Sequence, residues 1–502
     1  MAIRERQREG LRASRVAFYG ILGLAFATRL APLLAQHKLG GYLEYDDGVY
    51  LGASLELLAG KLPYSDFVLV QPPGIVLLLT PFAALARLVG DADALVLARL
   101  AFMGVGVANT ALIMRILRRY GPAAMLVGGF TYATWTPVLA PERTILLEPL
   151  LSLFTLSAVA VVWDRETSLR RAAGCGALLG AAVTVKVWPL LLIPVFGLWV
   201  WRRDGCRRAL ALAGAAAGTA AAIALPFFLA APGRMFDQVG LDQLMRPAEG
   251  VGVVQRLRTF GIAPRLIYAI PGPVFVLALI LFLAAAGAIA FRDRRLQLWL
   301  ALLAVELAQL LLAPTFYYHY AAYAGPAAVV LWAVLAGRLY ERARAMSARR
   351  PPLRWAMGAF VLVLASYMVL SGTRRSIGFA VDKASLTGFL ARHHCSWAAA
   401  VTLEVGDGFR RQVRRGCPAW VDSVGVLMDS GRRQFSRDRP LGDQAGLVEP
   451  WQRGIRRQLA ASDAVVMVPS KQEDWNAETA RFFHARFRAT GGTGGFVYWI
   501  RR

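Results

Sequence analysis

Hydrophobic residues in this chain come in long blocks. Stretches near 16–36, 95–117, 121–140, 145–163, 209–231, 266–291, 296–314, 320–338 and 354–372 are almost wholly apolar, and an interrupted pair fills 172–201. A hydrocarbon layer about 30 Å thick is crossed by roughly 20 apolar residues in a helix. The pattern therefore predicts a polytopic α-helical membrane protein with eleven transmembrane helices. The stretch 74–90, "GIVLLLTPFAALARLVG", is short for a crossing and carries Pro81, so it is expected to lie along the outer interface. Near residue 373 the rhythm changes. Short β-like runs ("AAAVTL", "DAVVMVP", "GFVYWIRR") alternate with helical stretches ("EPWQRGIRRQLAAS", "NAETARFFHARFRA"). This reads as a small α/β domain over 373–502, attached to a membrane domain over 1–372.

Arginine clusters between the blocks set the orientation. "MAIRERQREGLRASR", "RILRRYG", "DRETSLRR", "WRRDGCRR", "FRDRR" and "GRLYERARAMSARR" all fall on one side if 74–90 does not cross. Cytoplasmic loops carry the excess of Lys and Arg. The N-terminus is then cytoplasmic, the C-terminal domain extracytoplasmic, and the chain a multi-pass protein of the plasma membrane. The basic start runs into a long apolar block holding Arg29, with no small-residue cleavage site, so it is expected to remain as the first span.

Composition alters this picture little. The 502 residues are 57% hydrophobic with a net charge of +25, and only five of the 57 basic residues are lysines. In a soluble protein such a charge would suggest nucleic acid. Here it sits in short loops, where it reports topology and contact with anionic membrane lipids. Of the four cysteines, Cys175 falls in a span and Cys206 in a basic loop. Cys395 and Cys417 share the C-terminal domain and could pair if that domain faces an oxidising compartment.

The expected outer face gathers four segments: 37–94, 141–144, 232–265 and the aromatic cluster "TFYYHYAAY" at 315–323. Glu44, Asp46 and Asp47 crowd the start of a helix whose Tyr50, Leu51, Leu55 and Leu58 share one side. An acid there can be a helix cap, which accounts for one aspartate. A second cluster, "PERTILLEPLL", puts Glu142 and Arg143 in a turn and Glu148 one to two turns into the next span, with Arg143 as a candidate partner. A carboxylate at that depth must face a cavity, a partner or a proton. Lys186, in "VTVKVWP", is either a snorkelling side chain or a phosphate counter-ion, and Pro189 would open its helix locally. His319 is either an interfacial anchor or a phosphate contact. Glu306, mid-span, is read as a core hydrogen-bonding group, the alternative being a proton relay or helix glue with Gln309.

These residues, in this order, resemble the GT-C superfamily of polyprenyl-phosphate-sugar-dependent glycosyltransferases, specifically the bacterial protein-mannosyltransferase and aminoarabinose-transferase-like branch. "DDGVY" supplies the first-loop Asp, the acid after it and the Tyr; "GKLPYSDF" and "QPPG" follow; "RTILLE" gives Arg143 and Glu148; "TVKVWP" gives Lys186. The resemblance covers roughly residues 16–340. It implies a lipid-linked sugar donor, a glycan, lipid or protein acceptor, and no nucleic acid. It also implies Asp46 as the general base, with Asp47 and Glu148 orienting the acceptor or tuning that base. Tyr50, Arg99, Arg143, Lys186, Tyr318 and His319 would bind substrate, and a divalent metal ion bridging acids and phosphate is compatible with it. Many relatives carry Lys or His before the Pro-Pro pair, where this chain has Gln71. That phosphate contact is either lost or supplied by Arg99, Lys186 or His319. The competing readings are a secondary transporter or lipid-linked-sugar flippase, which predicts inverted repeats and midplane charges, and an anchoring protein whose external domain does the work. No internal repeat is visible.

Overall fold

The computed structural model describes residues 2–163, 166–248, 250–261, 270–347, 351–374, 377–418 and 420–502. Helices α1 (Ala2–Ala35), α2 (Tyr45–Leu58), α3 (Gly74–Val89) and α4 (Asp91–Leu117) open the chain. Further long helices span Pro122–Thr134, Glu148–Trp163, Leu169–Val185, Leu192–Asp204, Cys206–Ala230, Gly272–Phe291, Arg294–Leu312, Gly325–Ser347 and Pro351–Arg374. Without α2 and α3, these match the expected crossings one for one, although the start of the stretch 266–291 lies outside the described residues. Among the described residues, five helices are long and apolar enough to cross a membrane, or six if a bent pair counts as one span.

The shorter members are shortened by identifiable breaks. The helix from Pro122 stops where Trp135 turns extended ahead of Pro137. The chain then bends by 112° between the segments Thr136–Arg143 and Glu148–Trp163. As a result Glu148 opens its helix, instead of lying one to two turns inside it as the sequence suggested. Lys186 interrupts the next helix with extended backbone, and a 3-10 turn, Trp188–Leu191, starts with Pro189 near its N-terminus. Helix α3 has 16 residues with Pro81 inside. At 1.5 Å per residue that is about 24 Å, short of a full crossing.

The C-terminal part carries a four-stranded sheet in the order β1-β2-β4-β3. The strands are β1 (Ser396–Trp397), β2 (Ala464–Met467), β3 (Phe487–Thr493) and β4 (Phe496–Arg501). β1 and β2 are parallel, while the other pairs are antiparallel. "DAVVMVP" and "GFVYWIRR" form strands as expected, but "AAAVTL" becomes a short helix, Ala400–Val405. A single apolar run of this length fits either state, and here its contacts favour the helix. Strand β3 was hidden in a sequence that reads as the end of a helix. Cys395 and Cys417 are joined by a disulfide.

That same short helix explains why α2 is not a one-sided amphipathic surface helix. Ten consecutive residues of α2, Asp47 through Glu56, are buried. One flank packs on α3, and the other lies under Ala400–Val405. A Cβ on Gly48 would sit 2.3 Å from the Val401 backbone nitrogen, so only glycine permits this approach. One turn on, Gly52 faces Glu404 and Phe409. Asp91, at the start of α4, pairs with Arg410, and Lys383 bridges Asp93 and Asp407. The C-terminal part is thereby clamped over the first loop.

Candidate active site

A cavity of about 290 Å³ opens where the first loop, two helix breaks, the 246 and 317–320 loops and the C-terminal part converge. Asp46, Tyr50, Glu148, Lys186 and His319 all line it, as do Glu44, Gln71, Arg246, Tyr317, Tyr320 and Asp422. The two acid clusters and the lysine, far apart in sequence, thus face one space. Each arrives there by a local cause. Asp46 sits in the first turn of α2, Glu148 starts a helix after the 112° bend, and Lys186 occupies the interruption before Trp188.

Lys186 is the cation that pairs Glu148, with Nζ 2.8 Å from Oε1. The same ammonium lies 3.8 Å from the Trp188 ring centroid and 4.1 Å from that of Tyr320. Two aromatic faces and one carboxylate hold the charge where only 6% of the residue is exposed. Glu148 Oε2 and His319 Nδ1 are buried without a hydrogen-bond partner among the described residues. Both are polar atoms with capacity to spare beside the cavity.

Asp46 accepts a long hydrogen bond, 3.3 Å, from the Tyr50 hydroxyl. Burial pushes its carboxyl up to about 7, helped by the negative charges of Glu44 and Asp422 and opposed by Arg246. Asp422, which caps the helix Ser423–Gly431 through Gly425 N–H, accepts a 3.2 Å bond from Tyr45. Burial raises its carboxyl too. Glu44 accepts from the Tyr318 hydroxyl at 3.0 Å.

Several expected site residues lie elsewhere. Asp47 is fully buried and accepts from Arg99 Nη2 at 2.6 Å and from Thr144 at 2.6 Å. Arg99 is equally buried, and its Nη1 donates to the carbonyls of Leu39 and Gly41. This pair braces the first loop, with no guanidinium edge left toward the cavity. Arg143 donates to the carbonyls of Thr28 and Gly372, tying α1 to the helix Pro351–Arg374. Tyr317, rather than Tyr318, faces the cavity. Gln309 bonds the Trp188 carbonyl and the Tyr323 hydroxyl, and Glu306 Oε2 has no partner among the described residues.

Three charged cavity residues escaped the sequence reading: Arg246, Asp422 and Lys471. Arg246 stacks on Tyr317, 5.3 Å from ring to guanidinium carbon, and donates to its hydroxyl. It lies in an irregular loop with no periodicity to mark it. Asp422 carried a legible signal, an Asp three residues before Gly425 at a helix start, but nothing tied that cap to the first loop.

No protein-family model and no curated protein matches the chain. Solved structures do. ArnT from Cupriavidus metallidurans bound to undecaprenyl phosphate aligns with TM-score 0.58 and 15% identity, over 95% of this chain and 97% of that one. AglB from Archaeoglobus fulgidus in complex with an inhibitory peptide and a dolichol-phosphate aligns with TM-score 0.57 and 12% identity, over 96% and 74%. The oligosaccharyltransferase of the same organism in complex with Zn and sulfate gives 0.57 and 10%, over 96% and 72%.

Proposed function

The chain has the GT-C fold of polytopic membrane glycosyltransferases, and from that premise we propose that it moves a sugar from a polyprenyl-phosphate donor to an acceptor hydroxyl on the extracytoplasmic side. The observation that carries this reading is the convergence of Asp46 with the Glu148–Lys186 pair on one cavity. The acceptor oxygen attacks the anomeric carbon while the bond from that carbon to the phosphate oxygen breaks. The acceptor proton passes to Asp46, and the polyprenyl phosphate leaves with the bonding electrons. A carboxyl titrating near 7 is well matched to a general base, whose help is worth about 10²–10⁴-fold. Lys186 and Arg246 supply the positive charge that meets the leaving phosphate, in a partly water-excluded space where it counts most. Glu148 sets the position of Lys186, and Glu44 tunes Asp46.

A divalent cation entering the cavity would meet Glu44, Asp46 and Asp422. Among the described residues these carboxylates do not converge within ligand distance; the group that does is His394, Cys395 and Cys417, two of which form the disulfide.

The bonded Cys395–Cys417 pair and the basic clusters support an extracytoplasmic C-terminal domain and a cytoplasmic N-terminus. The test compares glycans and envelope lipids by mass spectrometry from cells carrying the wild type, Asp46→Asn or no copy. Loss of one glycosylated product in Asp46→Asn, with normal expression, is the expected result. Full product from Asp46→Asn, or donor movement across liposomes with no acceptor present, would replace the transferase with a transporter.

A further inference from the structure

A second cavity, about 80 Å³, adjoins the first and shares Tyr45 and Lys471 with it. It lies at the carboxyl ends of the parallel strands β1 and β2. Trp397, Ala398 and Ala399 leave one strand into it, and Met467 and Val468 leave the other. β2 has an antiparallel neighbour on its other side, so the strand direction changes here. Open α/β sheets bind ligands beyond the carboxyl ends of their parallel strands.

The lining is unusual for a packing defect. Tyr42, Trp397, Trp420 and Phe496 make aromatic walls, and Gln458 projects among them. Gln458 is 6% exposed, and its side-chain amide has no hydrogen-bond partner among the described residues. Thr402, 1% exposed, adds a hydroxyl to the same wall. An amide offers two donors and an acceptor, and here they open on the cavity without a protein partner among the described residues. An apolar ligand would displace water from them and return no hydrogen bond, and an ion would find no pair of charges. A pyranose ring suits both features. Its C–H faces lie against aromatic rings, and its hydroxyls exchange hydrogen bonds with the amide.

We propose that this crevice is an acceptor subsite that seats one pyranose ring of a glycan, so that the acceptor approaches Asp46 past Tyr45 from the C-terminal domain. The inference rests on the transferase reading and sharpens it by naming the acceptor class. The volume holds part of one ring, since a water takes about 30 Å³, so a ring docks with one face and edge inside. Lys471, 57% exposed at its side chain and lining both cavities, stands where the two spaces join.

The test uses the full chain in detergent and saturation-transfer NMR with methyl glucopyranoside, methyl galactopyranoside and methyl mannopyranoside. Open-chain glucitol and a serine-containing tripeptide serve as the other arms. At least one pyranoside should bind saturably and glucitol should not. Gln458→Leu should weaken that binding about tenfold, the scale of one lost hydrogen bond. Should Gln458→Leu fail to fold, the near-isosteric Thr402→Val is expected to weaken binding in the same direction. Asp46→Asn should bind the sugar as the wild type does. Absence of any pyranoside binding, equal binding of glucitol, preference for the peptide, or wild-type affinity in both wall variants would overturn the subsite. Pyranoside binding with full turnover in Asp46→Asn would sink the proposed base and leave the subsite standing.

Discussion

Two polar regions lie within a few residues of each other, built from the same residue types, and they differ in what their buried charges face. Behind α2, Arg29 bonds Glu142, which also accepts from Asn109 and Tyr132. Beside that group, Asp47 is held by Arg99 and Thr144. These charges are buried, cation-paired and packed against protein, so that even Asp47 Oδ1, which has no hydrogen-bond partner among the described residues, faces no cavity. On the other side of α2, Asp46 has one long bond from Tyr50 and a cavity in front of it. Glu148 is paired, but one of its oxygens is left without a partner. Buried charge alone therefore does not mark function. Unspent hydrogen-bonding capacity facing open space does, and the neighbours Asp46 and Asp47 divide on that criterion.

The largest expected effect breaks the comparison at those neighbours. Asp46→Asn should lower turnover by about 10²–10⁴-fold without lowering the thermal unfolding temperature in detergent, since Asn cannot carry the charge that burial disfavours. Arg99→Met should do the reverse, stranding Asp47 as a buried unpaired carboxylate at a cost of about 3–5 kcal/mol. Its signature is a lost yield of folded protein, while whatever folds retains normal acceptor kinetics. If Arg99→Met were stable but poor in donor binding, Arg99 would belong with the cavity after all.

Lys186 lies on the border between the two regions, because it is both paired and cavity-lining. On the proposed function, Lys186→Met should weaken binding of a polyprenyl phosphate, read by native mass spectrometry, by about tenfold or more, and should reduce stability. Pairing it with Glu148→Gln should restore stability by removing the stranded charge, without restoring phosphate binding. Recovery of both would make Lys186 a structural counter-ion only.

Much of this was legible in the sequence, for unequal physical reasons. Long apolar blocks fixed the spans because a bilayer imposes length and composition together. The family resemblance of the first-loop acids, "RTILLE" and "TVKVWP", with the rarity of intramembrane charge, drew attention to Asp46, Glu148 and Lys186, and all three line one cavity. What the pattern could not separate was Asp46 from Asp47, or Lys186 from Arg99. That distinction depends on which way α2 is turned, and α2 is turned by Gly48 and Gly52 meeting a helix some 350 residues later in the chain. The C-terminal contributions, Asp422, Lys471 and Gln458, come from separate short elements, and although Gln458 falls in a stretch that reads as an amphipathic helix, no local signal tied any of them to the site.

The contact that turns α2 gives a smaller and separate test. Gly48→Ala would place a methyl 2.3 Å from the backbone of Val401, a clash that no side-chain rotation relieves. The short helix Ala400–Val405 must back away, at a cost of about 1–3 kcal/mol. Limited proteolysis should then cut the C-terminal part, residues 377–502, faster, with acceptor KM rising more than donor affinity falls. Unchanged proteolysis would mean that α2 is positioned by α3 alone.

The smallest effect concerns protons. Asp46 carries a carboxyl raised to about 7, chiefly by burial and next by Glu44. A base must be ionised to work, so the acid side of the kcat/KM profile should rise through pH 7 and level off above it. For stability the sign is opposite to that of a salt-bridged aspartate. The folded-state value exceeds the unfolded one, near 3.9, so protonated Asp46 favours the folded state and its contribution is lost as pH climbs through 7. Glu44→Gln removes a like charge, and should move both the kinetic limb and this stability change to lower pH. Asp47→Asn, where it folds, should move neither to a comparable extent, since Arg99 already balances that charge. A limb that stays fixed in Glu44→Gln would mean that a group other than Asp46 takes the acceptor proton.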